Sequence, residues 1–355
     1  MIEVNLPNHH YKIEVQRGLL KSCGQWVENI WRPQRVAIIT DETVAELYGE
    51  DVADNLVDHG FDVTMLVVPP GEESKSLEKA TLLYDALADN GFTRSDGVIA
   101  LGGGVIGDLA GFVASTYMRG IHFLQIPTTL LAQVDSSIGG KTAVNTKKAK
   151  NLVGTFAQPD GVLIDPNVLK TLEMRRVREG IAEIIKSAAI ADKQLWDYLG
   201  TLKNEEDLLN HAKEVIHASL EVKRHVVEED EFDHGSRLTL NFGHTIGHAI
   251  EKTSGYGVIS HGEGVSLGMV MISTRAEAFN QSPRGITKEL ITMLTKFHLP
   301  TRIALNRETI FEAITHDKKA RGNTLKIILL KQIGKAKIVD IPIEQMKDYI
   351  IEEEV

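Results

Sequence analysis

The sequence predicts an α/β region up to about Asp165, followed by a mostly α-helical one. Three observations point there. In the first half, short and nearly continuous apolar segments alternate with helical patterns, which is how a parallel sheet covered on both faces reads. Between about 175 and 315 the apolar positions follow a helical period instead. At 355 residues the chain is long enough for two domains.

In order, Met1–Val15 reads as an alternating strand. Arg35–Asp41, Val63–Pro69, Gly97–Gly102 and His122–Pro127 read as buried strands with helices between them. The boundary is expected near Asp165-Pro166, giving domains 1–165 and 166–355. One late strand, Leu325–Leu330, stands out in the second domain. The closing run Glu352-Glu353-Glu354 reads as a solvated tail.

Hydrophobic residues make up 43% of the chain and the formal net charge is −10. An acidic surface argues against a nucleic-acid or anionic-membrane partner but leaves room for an anionic small molecule held by local Lys and Arg. No apolar run reaches membrane-spanning length. The first residues carry neither the basic nor the apolar part of a signal peptide. Cys23, the one cysteine, fits a reducing cytoplasm and reads as a buried or incidental thiol.

The strongest motif is Leu240-Asn241-Phe242-Gly243-His244-Thr245-Ile246-Gly247-His248, followed by Ser260-His261-Gly262-Glu263. His244 and His248 share a helix face. Imidazole is the commonest metal ligand, and a catalytic zinc takes three protein ligands and an open position. Two such histidines on an apolar helix also serve as core and cap residues. Gly102-Gly103-Gly104 follows a strand and opens a helix, so its backbone suits a pyrophosphate, although a tight turn needs glycine as well. Asp41 suits a ribose hydroxyl or a helix N-cap. Pro70–Lys75 reads as a turn with an exposed Glu and Lys, or as a loop touching a cofactor. Pro127–Thr142, with Lys147, Lys148, Lys150 and Asn151 after it, suits an anion site or a solvated basic loop. Glu183 and Lys186 fall on one helix face among Ala and Ile, where a buried carboxylate needs a partner.

Long stretches of the chain resemble the 3-dehydroquinate synthase family: residues 102–108, 114–120, 127–145, 150–156, 180–186, 240–251 and 261–269. The resemblance implies a Rossmann-like NAD-binding domain and a mostly helical metal-binding domain. It implies Glu183, His244 and His261 as ligands of a divalent metal, zinc or cobalt, with His248 turned to the substrate rather than the metal. It places NAD at Asp41, Glu72, Lys75, Gly103, Gly104, Val105, Asp108, Thr128, Thr129, Lys141, Lys150 and Thr171. It places the substrate, a sugar-acid phosphate, at Asp135, Lys141, Asn151, Lys186, Lys223, Arg237, Asn241, His248 and Lys318. It also implies a homodimer in which Arg119 reaches the neighbour's site. One stretch departs from the pattern: the family's Thr-Leu-Pro-x-Arg-Glu is Thr171-Leu172-Glu173-Met174-Arg175-Arg176 here.

The activity implied is conversion of 3-deoxy-D-arabino-heptulosonate 7-phosphate to 3-dehydroquinate and phosphate, the second step of the shikimate pathway. Removal of Lys186 or Arg237 is then expected to cut turnover far more than stability. Three alternatives share parts of the pattern: a sister sugar-phosphate cyclase acting on a neutral sugar, a metal-dependent polyol dehydrogenase, and a non-catalytic NAD-binding protein. An arginine at 237 favours a carboxylated substrate, and the set Glu183, Lys186, His244 and His261 argues for catalysis.

Overall fold

The computed structural model describes residues 1–255, 257–318 and 323–351, leaving aside the side chains of 316–318. The tail 352–354 therefore lies outside the described residues. The chain forms two compact units, Met1–Leu172 and Glu173–Val355.

The first unit is built on a seven-stranded sheet. Its strands are β1 (Ile2–Leu6), β2 (His9–Val15), β3 (Arg35–Asp41), β4 (Asp62–Val68), β5 (Gly97–Gly102), β6 (His122–Pro127) and β9 (Gly161–Ile164). They lie in the order β1-β2-β9-β6-β5-β3-β4. Only β1 and β2 pair antiparallel; the other neighbours are parallel. The central strands are buried on both faces, β5 at every position, as their apolar runs predict. The edge strand β1 alternates buried and exposed.

Helices α1 (Cys23–Glu28), α2 (Glu42–Val44), α3 (Glu50–Asp58), α4 (Leu77–Asp89) and α5 (Gly104–Thr116) accompany the sheet. One core cluster joins α4 and α5 to the sheet through Leu83, Leu87, Leu109 and Val113. Another joins α1 and α3 through Trp26, Val27, Val52 and Leu56. A separate hairpin pairs β7 (Lys141–Val144) with β8 (Val153–Phe156).

The second unit holds α6 (Met174–Ala191), α7 (Lys193–Thr201), α8 (Glu205–Asn210), α9 (Ala212–Glu229), α10 (His244–Ser254), α11 (His261–Ala278), α12 (Ile286–Lys296) and α13 (Arg307–Lys318). It ends in an antiparallel pair, β10 (Thr324–Gln332) and β11 (Lys335–Pro342). α11 is buried almost around its full circumference, as an apolar helix at the centre of a unit must be. No helix of the described residues is long and apolar enough to cross a membrane.

The structure differs from the sequence reading at several points. Met1–Val15 is a hairpin of two strands, not one strand. β7, β8 and β9 are only four residues each, too short to register as a period. The late strand has a partner, β11, whose partly exposed side chains blur its pattern. The division between units falls after Leu172. Asp165 binds the backbone of the first unit, accepting from Gly18 N–H at 2.9 Å and Leu20 N–H at 3.1 Å, and so holds the following turn there.

In the second unit Glu205, 5% exposed, accepts from Arg178 Nε at 2.7 Å and lies 2.8 Å from His298 Nδ1. Burial alone would raise its pKa. Arg178, the backbone and His298 outweigh that and hold the carboxyl below its ordinary 4.5. A depressed folded value adds stability above the unfolded pKa, and that stability is lost as pH falls through the folded value. Thermal melts of the wild type and Glu205→Gln are therefore expected to differ most at neutral pH and to converge as pH drops below 4.5. An equal gap at all pH values would show that the ionised pair contributes nothing.

Candidate functional site

In the first unit the chain leaves β3 for β4 on one side and β5 for β6 on the other. Connections diverge at the carboxyl ends of β3 and β5, where open parallel sheets hold ligands. Asp41 ends β3 and Gly102 ends β5. α5 begins at Gly104 with no side-chain cap from Gly103, so the N–H groups of its first turn, Val105 included, are placed for an anion. A Cβ on Gly103 would stand 2.9 Å from Thr129 Cγ2, so the turn can lie this close to Thr129 only as glycine. Thr128 N–H donates to Gly102 O at 2.9 Å. Asp41 caps α2, its Oδ1 accepting from Val44 N–H at 3.0 Å, so the capping alternative is realised.

Lys75 is buried, not exposed as the turn reading supposed. Its Nζ donates to Asp108 Oδ2 at 2.8 Å and lies 3.5 Å from Glu72 Oε1. Asn145 Nδ2 donates to the same Glu72 oxygen at 2.7 Å, and Asn145 Oδ1 accepts from Asn151 N–H at 2.9 Å. Three distant motifs thus meet in one network. Asn151 has a left-handed φ of 54°. Lys141 and Lys150 are exposed. Asp135 sits in the turn Ala132–Ser136, and Thr171 Oγ1 lies 2.6 Å from Tyr48 Oη. Arg119 is exposed, in a turn where Met118 and Arg119 both have positive φ.

The second unit brings Glu183, Lys186, His244, His248 and His261 together. Glu183, mid-way along α6, is 1% exposed. Its Oε2 lies 2.5 Å from Lys186 Nζ, and its Oε1 lies 3.4 Å from His244 Nε2 and 3.3 Å from His261 Nε2. Among the described residues neither carboxylate oxygen has an aligned hydrogen bond. Ring nitrogens of His244, His248 and His261 lie within 4.8 Å of one another, so distance alone does not separate His248 from the other two. On their far sides, His244 Nδ1 lies 3.1 Å from Phe242 O and His261 Nδ1 lies 3.7 Å from Glu251 Oε2. Partners of that kind orient metal-binding imidazoles.

Helix packing sets this geometry. His244 and His261 open α10 and α11, which cross with backbones touching. A Cβ on Gly264 would lie 2.8 Å from Gly247 O, and one on Gly262 would lie 2.5 Å from Glu179 Cα of α6. Electrostatics then divides the cluster. Burial pushes His244 down to about 3, against the pull of Glu183. Burial also works against a charge on His261, but Glu183 and Glu251 raise it to about 10. Burial would raise Glu183, yet Lys186 and the two histidines hold it well below its usual range. The cluster thus keeps positive charge beside Glu183. One carboxylate oxygen with two Nε2 atoms within 3.4 Å of it is a donor set that fits a divalent cation.

Lys223 and Arg237 are also buried, at 7% and 2% exposed. Arg237 N–H donates to Asp230 Oδ2 at 3.2 Å, and Nη1 donates to Glu231 O. Asn241 and His248 are exposed. The side chain of Lys318, at the end of α13, lies outside the described residues. The burial of Lys186 and Arg237 means that removing either also carries a cost in stability, beside the larger loss of turnover expected. Lys186 is 2% exposed, and its loss strands the Glu183 carboxylate.

Two groups around the site escaped the sequence reading. Glu251 follows His248 by three and His244 by seven, so helical spacing places it on their face. Asn145 lies inside a matched stretch, but only the fold shows that it links Glu72 to Asn151. Gly264→Ala forces α10 and α11 apart and is expected to cost about 1–3 kcal/mol in urea unfolding and to weaken metal uptake. Unchanged stability and uptake would show that the crossing has slack.

Residues 65–179 match the family model of the 3-dehydroquinate synthase N-terminal region, and residues 180–320 match that of its C-terminal region. The chain is 66% identical over 350 residues to the 3-dehydroquinate synthase of Enterococcus faecalis (strain ATCC 47077 / OG1RF), covering 98% of each chain. Among solved structures it is similar to a 2-deoxy-scyllo-inosose synthase complexed with carbaglucose-6-phosphate, NAD+ and Co2+. That likeness has a TM-score of 0.89 and 26% identity, covering 98% of each chain. It is also similar to the 2-epi-5-epi-valiolone synthase of Streptomyces hygroscopicus subsp. jinggangensis 5008, with NAD+ and Zn2+ bound, at a TM-score of 0.87 and 28% identity, covering 97% of each chain.

Proposed function

The chain belongs to the 3-dehydroquinate synthase family, and from that premise we propose that it converts 3-deoxy-D-arabino-heptulosonate 7-phosphate to 3-dehydroquinate and phosphate. This makes it a phosphorus–oxygen lyase of the shikimate pathway that uses NAD and a divalent metal ion. The observation that carries the reading is the buried Glu183 oxygen facing His244 Nε2 and His261 Nε2, with Lys186 at the other oxygen.

In the course of the reaction the substrate's C5 alcohol is oxidised, loss of the C6 proton expels phosphate by β-elimination, the C5 carbonyl is reduced again, and the opened chain closes by an intramolecular aldol, so that no net oxidation remains. When bound, NAD supplies the reversible hydride acceptor and the metal supplies a Lewis acid. The metal would be held by Glu183, His244 and His261. NAD would be held by Asp41, Glu72, Lys75, Gly103, Gly104, Val105, Asp108, Thr128, Thr129, Lys141, Lys150 and Thr171, with the α5 N-terminus facing its pyrophosphate.

The substrate's charge falls to the chain's cations. Lys141, Asn151, Asn241 and His248 suit the phosphate. The planar fork of Arg237 suits the carboxylate, with Lys223 beside it in role. Asp135, Lys186 and Lys318 complete the substrate set. We also infer a cytoplasmic homodimer in which Arg119 serves the neighbour's site. The exposure of Arg119 at a sharp turn supports this.

The test is phosphate release from the heptulosonate phosphate with catalytic NAD and zinc, with absorbance of NADH followed in parallel. Release without net NADH, abolished by a chelator, is expected. Release only from a neutral sugar phosphate would move the chain to a sister cyclase and overturn the role of Arg237.

Lys186 gives a second prediction. In Lys186→Met the metal-free protein keeps a buried carboxylate without its nearest cation, a loss of about 3–5 kcal/mol. Added zinc is expected to raise the melting temperature of the variant more than that of the wild type. Equal shifts would separate Glu183 from the metal.

A further inference from the structure

The stretch Glu173-Met174-Arg175-Arg176, in which Glu173 and Arg176 depart from the family pattern while Arg175 keeps its arginine, leads into α6, the helix that carries Glu183. Arg176 pairs within the helix, donating to Glu179 Oε1 at 2.8 Å. Arg175 instead reaches another segment. Its Nε donates to Glu263 Oε1 at 3.0 Å and its Nη2 to Glu263 Oε2 at 2.8 Å. Nη2 also donates to Val258 O at 2.8 Å, and Nη1 to Gly257 O at 3.3 Å. One planar guanidinium thus holds a carboxylate and two carbonyls, which a lysine cannot reproduce.

Glu263 is the third residue of α11 and closes a capping box with Ser260: Ser260 N–H donates to Glu263 Oε2 at 2.8 Å, and Glu263 N–H donates to Ser260 Oγ at 3.4 Å. His261 lies between them, the first residue of the helix. The contacts of Arg175 therefore enclose His261 from both sides in sequence, Gly257 and Val258 before it and Glu263 after it. At the same crossing Gly262 packs against Glu179, one turn before Glu183.

The Arg175 side chain is 41% exposed, so the pair is screened and contributes little to global stability. What it fixes is the direction of one helix start. We propose that Arg175 is a positioning residue for the metal centre. It locks the first turn of α11, and with it His261, to the helix that bears Glu183. This rests on the ligand set Glu183, His244 and His261 proposed above.

The experiment measures zinc affinity by chelator competition and the visible absorption of the cobalt-substituted protein, for the wild type, Arg175→Ala, Arg175→Lys, Glu263→Gln and Glu183→Gln. Zinc is expected to bind Arg175→Ala about 10–100-fold more weakly, with a shifted cobalt band. Arg175→Lys and Glu263→Gln should fall between, and the metal-free melting temperatures should change little. Turnover should recover at saturating zinc. Should Arg175→Ala fail to fold, Arg175→Lys and Glu263→Gln carry the same comparison.

Unchanged zinc affinity and an unchanged cobalt spectrum in the Arg175 and Glu263 variants would reduce the clamp to an ordinary surface tie and overturn the proposal. Wild-type affinity in Glu183→Gln would instead overturn the ligand set, and the inference with it. The two failures are therefore distinct.

Discussion

An ionised carboxylate in an apolar helix needs positive charge around it, and most of the second unit's chemistry follows from that need. Glu183 lies on α6 between Ala182 and Ile184, both fully buried. Left alone it would protonate. Instead Lys186 lies at one oxygen, and His244 and His261 at the other. The charge also explains why two neighbouring histidines behave oppositely. His261 is flanked by Glu183 and Glu251 and is pushed up to about 10; His244 has Glu183 against Lys186 and two imidazoles, and burial takes it down to about 3. A cation at this point answers the same demand as the proton on His261, which is why the cluster fits a metal.

That arrangement depends on helices approaching more closely than side chains permit. α10 meets α11 with Gly247 against Gly264, and α11 meets α6 with Gly262 against Glu179. The glycines thus do for the Glu183, His244 and His261 cluster what Gly103 does for the turn into α5: they let a backbone segment come near enough to aim polar groups. Each position also falls one to three residues from a functional side chain. Packing and chemistry are written in the same short motifs, because the residue that allows the approach must lie beside the residue that the approach positions.

The central strands were legible in the sequence because they are buried on both faces. β3, β5 and β6 stand where their apolar runs put them. The hairpin strands β7 and β8, and the partly exposed β11, were not, because short or half-solvated strands leave no clear period. At the site, helical spacing brought His244 and His248 together, and an acidic residue among Ala and Ile marked Glu183. The spacing did not reveal that Lys75 is buried between Asp108 and Glu72, since two separate motifs build that contact. Nor did it show Arg175 reaching Glu263 across 88 positions. A side chain's partner on another element is a property of the fold, whereas its position on its own helix is a property of the sequence.

Charge distribution reconciles the acidic chain with an anionic substrate. A net charge of −10 spread over the surface is screened within about 8–10 Å at physiological salt. Lys186, Lys223 and Arg237 are each less than 8% exposed, so their charges act in a medium that screens far less. Buried cations cost desolvation, and these are stabilised in part by acceptors: Glu183 for Lys186, the Glu231 carbonyl for Arg237. A chain under selection for stability alone would fill such positions with apolar side chains of similar volume. The second unit instead maintains several cations in its interior, as the proposed anionic substrate would require.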